Sequence, residues 1–402
     1  MTPTATVKPG KAAAKRVNPH PQRKEIARYL LARGLDPVSM APSVEVLDVA
    51  ATTPVPKKIA FPAGLAPVVV PLDPNRKPSA KLPLADVVVI TWTVDELAGL
   101  AKVFCPGHSA SNWPRYTHRY ATFGRKIRPN APAANSKRLA SFQPVTVGNL
   151  NVLLMKSELH LNQDSIKTGD GLATLPVKDL FKQIIAETKC SHIFTIGTAG
   201  SVFDDFQLGD VVVTRAAKFR LQQEFRNEVF NGQTYTSDWP LPTARLDDAQ
   251  KLMRAFSSKL VEPPFAPPTK RFPFPLAPVV SSPSNTPDIK LELGGRDMPE
   301  FHPILTTDYF EYGTSANRLD REGAAVEMGD AALGLACSEL ADPPKWAVVR
   351  NMSDPVINGD LPAKQFPLNE QTTWAVGYYT AYGEWTSVSG ALATWGIIAG
   401  LV

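Results

Sequence analysis

Phe194-Thr195-Ile196-Gly197-Thr198-Ala199-Gly200, followed by Leu208-Gly209-Asp210-Val211-Val212-Val213, is the stretch on which the reading of this chain turns. Its first half is an apolar run that gives way to small residues, as a buried strand does where its end must let a ligand approach the backbone. Thr198 offers a hydroxyl and an amide at that point. A lone glycine pair is a weak signal, but a second apolar run behind Leu208-Gly209-Asp210 makes it specific.

Working outward, Asp86-Val87-Val88-Val89-Ile90 is another short continuous apolar run of the kind buried on both faces of a sheet. Similar runs recur at His192–Ile196, Asp210–Thr214 and Trp346–Arg350. Helical patterns at Asp95–Val103, Val177–Thr188 and Gly329–Leu340 separate them. Strands alternating with helices predict an α/β domain around a parallel or mixed central sheet.

The 402 residues are 44% hydrophobic and 20% charged, enough to bury a sizeable core, and no repeat of fixed period is present. The 38 prolines are concentrated locally. Residues 1–84 hold 14 of them and little periodicity beyond a short helical pattern at 25–33, so this extension is expected to wrap the domain, bridge subunits or stay mobile. A further nine between Val261 and Pro287 mark an insertion at about 261–300 rather than a sheet element. The catalytic domain is therefore expected at 85–402.

A net charge of +5 is a weak signal for nucleic acid, and no such partner is expected. Cys105, Cys190 and Cys337 are scattered, which excludes a disulfide framework and a cysteine zinc site and fits a reducing, cytoplasmic setting. Six lysines and arginines in the first 24 residues precede no apolar segment, so they read as a basic tail rather than a secretory signal. The uncharged run Trp385–Val402 is interspersed with Ser, Thr and Gly, and reads as a buried terminal helix rather than a membrane anchor.

In Ile90-Thr91-Trp92-Thr93-Val94-Asp95-Glu96-Leu97 a buried strand runs into a helix. Ligands of open α/β sheets bind at the carboxyl ends of strands, so Asp95 and Glu96 stand where one would be met. Acids favoured by the macrodipole in a helix's first turn are the other reading. Between this segment and the glycine motif lies a basic cluster: Arg115, His118, Arg119, Arg125, Lys126, Arg128, Lys137 and Arg138. It is either a solvated surface or a phosphate site that would make the substrate a nucleotide.

These segments, in this order, resemble the nucleoside phosphorylase and nucleosidase superfamily. Gly323-Ala324-Ala325-Val326-Glu327-Met328-Gly329-Asp330-Ala331 is similar to its V-E-M-E-x-A ribose motif. Val348-Val349-Arg350-Asn351-Met352-Ser353-Asp354 is similar to its V-x-R-x-x-S-D motif, and Leu305-Thr306-Thr307-Asp308-Tyr309-Phe310 to its base-stacking segment. The resemblance spans about 86–402 without the proline-rich parts. It implies a three-layer α/β/α phosphorylase-type fold with a mixed central sheet, no cofactor, no metal, and a homo-oligomer whose subunits complete one another's sites.

It also implies cleavage of a purine N-glycosidic bond. Asp354 would protonate N7 so that the base leaves neutral, with Ser353 beside it. Phe310 would stack on the base, Met328 would pack beneath the sugar, and Thr198, Ala199 and Gly200 would line the site. Glu96 would activate water, and the neutral Thr195 stands where many phosphorylases of the family place a phosphate-binding arginine. Both features favour hydrolysis. Phosphorolysis and a binding protein without turnover are the alternatives. The chain departs from the family at Gly329, which replaces the second glutamate of the ribose motif. Asp330 or Glu327 would then accept the ribose hydroxyls, with an N-cap role equally open to Asp330.

Overall fold

A computed structural model describes residues 59–167, 173–257, 291–293, 302–363 and 370–402. The short helical pattern at 25–33, the basic tail and the rest of the extension before residue 59 lie outside the described residues, as does the insertion apart from Leu291–Leu293.

The apolar runs form the strands expected of them. In chain order the main strands are β1 (Val87–Thr91), β2 (Ala140–Val147), β3 (Leu150–Ser157), β4 (His192–Ser201), β5 (Val211–Thr214), β6 (Ala216–Phe219), β7 (Ile304–Thr306), β8 (Ala325–Glu327) and β9 (Lys345–Asp354). The main helices are α1 (Val94–Phe104), α2 (Pro176–Thr188), α3 (Leu246–Ser257), α4 (Ala331–Ser338) and α5 (Glu370–Ala399).

β1 lies parallel to β3 on one side and to β4 on the other, and β4 runs parallel to β9. β2 pairs antiparallel with β3, and β5 antiparallel with β9, so the sheet is mixed. Both faces are covered. Val88 and Ile90 of β1 point into one core with Phe181 of α2 and Leu333 of α4. Val87 and Val89 point into the other with Leu100 of α1, Met253 of α3 and Leu392 of α5. That alternation within one unbroken apolar strand is what a sheet sandwiched between two helical layers requires. The fold is a three-layer α/β/α arrangement.

The uncharged carboxyl-terminal run is the second half of α5, which is buried along nearly all of it against β9, α1 and α3. No helix among the described residues is long and apolar enough to cross a membrane. Residues 59–84 run along the domain: Val68–Val69 adds a strand to β2, and Leu65 accepts a bond from the Trp395 indole on α5.

A candidate active site at the strand ends

β4 and β9 pair residue for residue from His192 opposite Lys345 to Ala199 opposite Met352, and then the count slips: Gly200 faces Asp354. The extra residue is Ser353, and such a bulge re-aims the side chain that follows it. Asp354 is thereby turned over Gly200, where a β-carbon would stand 2.9 Å from its Oδ2. The Ser353 hydroxyl donates to Asp354 Oδ1 at 3.0 Å, while Oδ2 is buried with no hydrogen-bond partner. Burial outweighs the Ser353 bond and pushes this carboxyl up to about 7. Asp354 is a strand-end acid poised to hold a proton at neutral pH, with one oxygen uncommitted.

Glu96 is treated in the opposite way. Thr93 and Glu96 form a capping box at the start of α1, so the reading of a helix-terminal acid holds for part of its bonding. Its Oε2 accepts from the Thr91 hydroxyl and the amides of Trp92 and Thr93, at 2.8 to 3.0 Å. Its Oε1 accepts from both the amide and the hydroxyl of Thr198 at 2.9 Å. Burial alone would raise this carboxyl. The Arg350 charge and the amide donors overcome that and hold it below the usual glutamate range. Glu96 therefore ties the end of β1 to the end of β4 and stays ionised while doing so.

Arg350 lies beside Glu96, fully buried in β9. Its Nε donates to Asp330 Oδ2 at 2.7 Å and a terminal nitrogen donates to Asp330 Oδ1, the two-point fork that suits a guanidinium. It also donates to Glu327 Oε2 and to the Thr198 carbonyl, both at 3.2 Å, and lies 3.8 Å from Glu96 Oε1. Its guanidinium stacks over the Trp92 ring at 5.3 Å. Burial by itself would favour loss of the Arg350 proton, but Asp330 and Glu327 hold it on firmly. Burial and the neighbouring Asp330 push Glu327 upward, with Arg350 opposing them. Gly197 is indispensable here, because a β-carbon would collide with the Glu96 carboxylate and the Arg350 guanidinium.

The residues singled out in the sequence fall into two groups. Glu96, Thr198, Ala199, Gly200, Glu327, Met328, Asp330, Ser353 and Asp354 converge at the ends of β4, β8 and β9, since β8 pairs with β4 through Val326 and Gly200. Thr198 and Met328 are half-buried among buried neighbours and mark the accessible side. Phe310 is half-buried against a second apolar cluster that contains Tyr312, Leu208 and Trp374, and the backbone of Tyr312 flanks Gly200 on the side of Asp354. Beside Phe310, Asp308 collects the amides of Gln222, Gln223 and Phe225 on its two oxygens, which pins that loop to the Phe310 segment. Asp330 occupies the N-cap position of α4, but its side chain makes no cap bond.

The basic cluster does not gather into one site. Lys126 pairs with Asp179, Arg128 with Glu224, Arg138 with Glu158 and His118 with Glu187, while Arg115, Arg125 and Lys137 are exposed. Among the described residues no group of His, Cys, Asp and Glu could hold a metal ion. The sequence reading gave no role to Arg350 or Trp92. A charged residue in the otherwise apolar run Val348-Val349-Arg350 was the available signal, because a buried guanidinium must be paired.

Residues 179–374 match the family model described as the phosphorylase superfamily. No curated protein matches the chain. Among solved structures, the chain is similar to the 5′-methylthioadenosine/S-adenosylhomocysteine nucleosidase of Neisseria meningitidis, at 16% identity and a TM-score of 0.43 over 79% of this chain and 99% of that one. Futalosine hydrolase of Helicobacter pylori matches at 11% identity and 0.41 over 78% and 97%. A protein of Borrelia burgdorferi B31 assigned as a nucleosidase of the first kind, bound to adenine, matches at 14% and 0.43 over 79% and 100%.

Proposed function

We propose that this chain, whose residues 179–374 belong to the phosphorylase superfamily, hydrolyses the N-glycosidic bond of a purine nucleoside or nucleotide. The observation that carries the reading is the pair of carboxyls with opposite protonation: Asp354, buried with a free oxygen and raised to about 7, and Glu96, held ionised. Two carboxyls pushed apart in this way supply an acid and a base at the same pH.

In this reaction the C1′–N9 bond breaks and its electron pair passes into the purine, while Asp354 delivers its proton to N7. Water adds its oxygen to C1′. All the lone pairs that face inward on Glu96 are engaged, so the water's proton enters through the Thr198 hydroxyl, which passes its own proton to Glu96 Oε1 along the existing 2.9 Å bond. Ser353 holds Asp354 in place, Phe310 offers its ring to the base, and Met328 lies under the sugar. Glu327 and Asp330 keep Arg350 neutralised beneath the site.

Phosphate as the nucleophile has less support. Arg350 already faces three carboxylates, and the nearest charge to the water position is an ionised glutamate that would repel a dianion. The nucleotide reading is also weakened, because much of the basic cluster is spent on ion pairs. The test is incubation with a panel of purine nucleosides and AMP, with and without inorganic phosphate, followed by chromatography of the released base. Base release independent of phosphate supports hydrolysis. Release only with phosphate makes the chain a phosphorylase, and binding without release makes it a binding protein.

A further inference from the structure

We infer that, among the described residues, the sugar side of the site offers a vicinal diol no uncommitted carboxylate, that Trp92 is the residue responsible, and that the chain therefore acts on purine 2′-deoxyribonucleosides at least as well as on ribonucleosides. The inference rests on the N-glycosidase reading and deepens it.

Gly329 follows the half-buried Met328, the residue read above as lying under the sugar, at the entrance to α4. A β-carbon at 329 would stand 3.1 Å from Trp92 Cζ2 and 3.4 Å from Cε2, so the indole covers the direction in which any side chain there would point. The indole is not free to swing aside. Its Nε1 donates to the Leu159 carbonyl at 3.0 Å, its edge meets the Phe181 ring with centroids 6.3 Å apart, and the Arg350 guanidinium lies over its face.

The two carboxylates beside Gly329 are already committed. Glu327 accepts from the Thr306 hydroxyl and the Asp330 amide on Oε1, and from the Gly329 amide and Arg350 on Oε2, which fills its four acceptor positions. Asp330 has no solvent exposure and both oxygens in the Arg350 fork. A ribose diol would have to displace a buried donor from Glu327 or open the packing that shuts Asp330 away to find a carboxylate acceptor. A site built to bond a hydroxyl rejects the analogue that lacks it by a factor of about 10⁴ or more, whereas an apolar surface discriminates far less. With Trp92 where an acceptor would stand, the 2′-hydroxyl brings no gain.

The test compares adenosine with 2′-deoxyadenosine, and inosine with 2′-deoxyinosine, by kcat/KM for base release on the full chain. The same pairs are compared by calorimetric affinity for the Asp354→Asn variant. A deoxy-to-ribo ratio of one or more in both measurements is expected. A preference for the ribonucleoside of more than about tenfold in either overturns the inference. Equal affinity with no base release from the wild type leaves the pocket as inferred and overturns hydrolysis instead. The double variant Trp92→Ala/Gly329→Glu, checked for folding by circular dichroism, should move the ratio toward ribose by about tenfold or more, the factor for one bond to a charged acceptor. A folded double variant with an unchanged ratio removes Trp92 from the role.

Discussion

Arg350 grips Asp330 at two points inside the protein, and neither side chain reaches solvent. An acid at the first position of a helix would ordinarily be read as a cap, yet Asp330 spends itself on the guanidinium. Asp330→Ala is accordingly expected to cost about 3–5 kcal/mol, the range for stranding one partner of a buried ion pair, measured by urea unfolding. A loss of roughly 0.5–2 kcal/mol is what a cap alone would give, and would return Asp330 to that role. Arg350→Met combined with Asp330→Ala should cost less than the two single losses added, because each removes the other's unpaired charge.

Asp354→Asn should lower turnover by a factor of about 10² or more while purine binding persists, since an amide can bond N7 but cannot protonate it. The same variant should be the more stable protein above pH 7. Burial raises the Asp354 carboxyl from 3.8 to about 7, so the native state holds that proton more tightly than the unfolded chain. Its stabilisation is complete below pH ~4 and gone once the pH has risen through about 7. Above that point the wild type buries an anion and the asparagine variant does not. Thermal unfolding at pH 5 and pH 8.5 checks this, and an equal difference between the two proteins at both values would rule it out.

The rate itself should carry the same signature. kcat/KM should fall about tenfold per pH unit above pH 7 as Asp354 loses its proton, whereas the acid limb should lie below the ordinary glutamate range because Glu96 resists protonation. A profile that rises through pH 7 would reverse the assignment of acid and base.

Thr198→Val preserves shape and removes the hydroxyl that joins water to Glu96. It should slow hydrolysis by at least tenfold while lowering stability by about the worth of one bond to a buried carboxylate, and an unchanged rate would eliminate the relay. Glu96→Gln should abolish hydrolysis and also destabilise the fold. Five donors converge on Glu96, and an amide supplies one acceptor oxygen and turns an N–H₂ group toward the rest.

The layered fold was readable because β1, β4, β5 and β9 are continuous apolar runs, and a run buried on both faces leaves an unambiguous trace in sequence. Glu96, Thr198, Glu327 and Asp354 were singled out through the motif resemblance rather than from the strand pattern: Glu327 and Asp354 close β8 and β9, but Thr198 lies within β4 and Glu96 stands in the first turn of α1. What each carboxylate does there was not legible. Glu96 and Asp354 differ through their surroundings: Glu96 has the Arg350 charge and donors from as far along the chain as Thr198, whereas Asp354 has only the hydroxyl of its neighbour Ser353. Asp330 was read against a helix entrance, while its partner Arg350 lies on a strand that begins only after α4. The covering of Gly329 by Trp92 joins residues more than two hundred positions apart, and no local pattern encodes it.

The slip in the ladder between β4 and β9 has a consequence for how this chain can vary. Everywhere else along those strands a side chain's direction is fixed by whether its position is odd or even. Asp354 faces the site because Ser353 breaks that parity at a single point. Deleting Ser353, the one residue between Met352 and Asp354, would restore the regular count with the acid still opposite Gly200, and would remove the hydroxyl that bonds it, so the ladder itself does not require Ser353 and its place there answers to the acid alone.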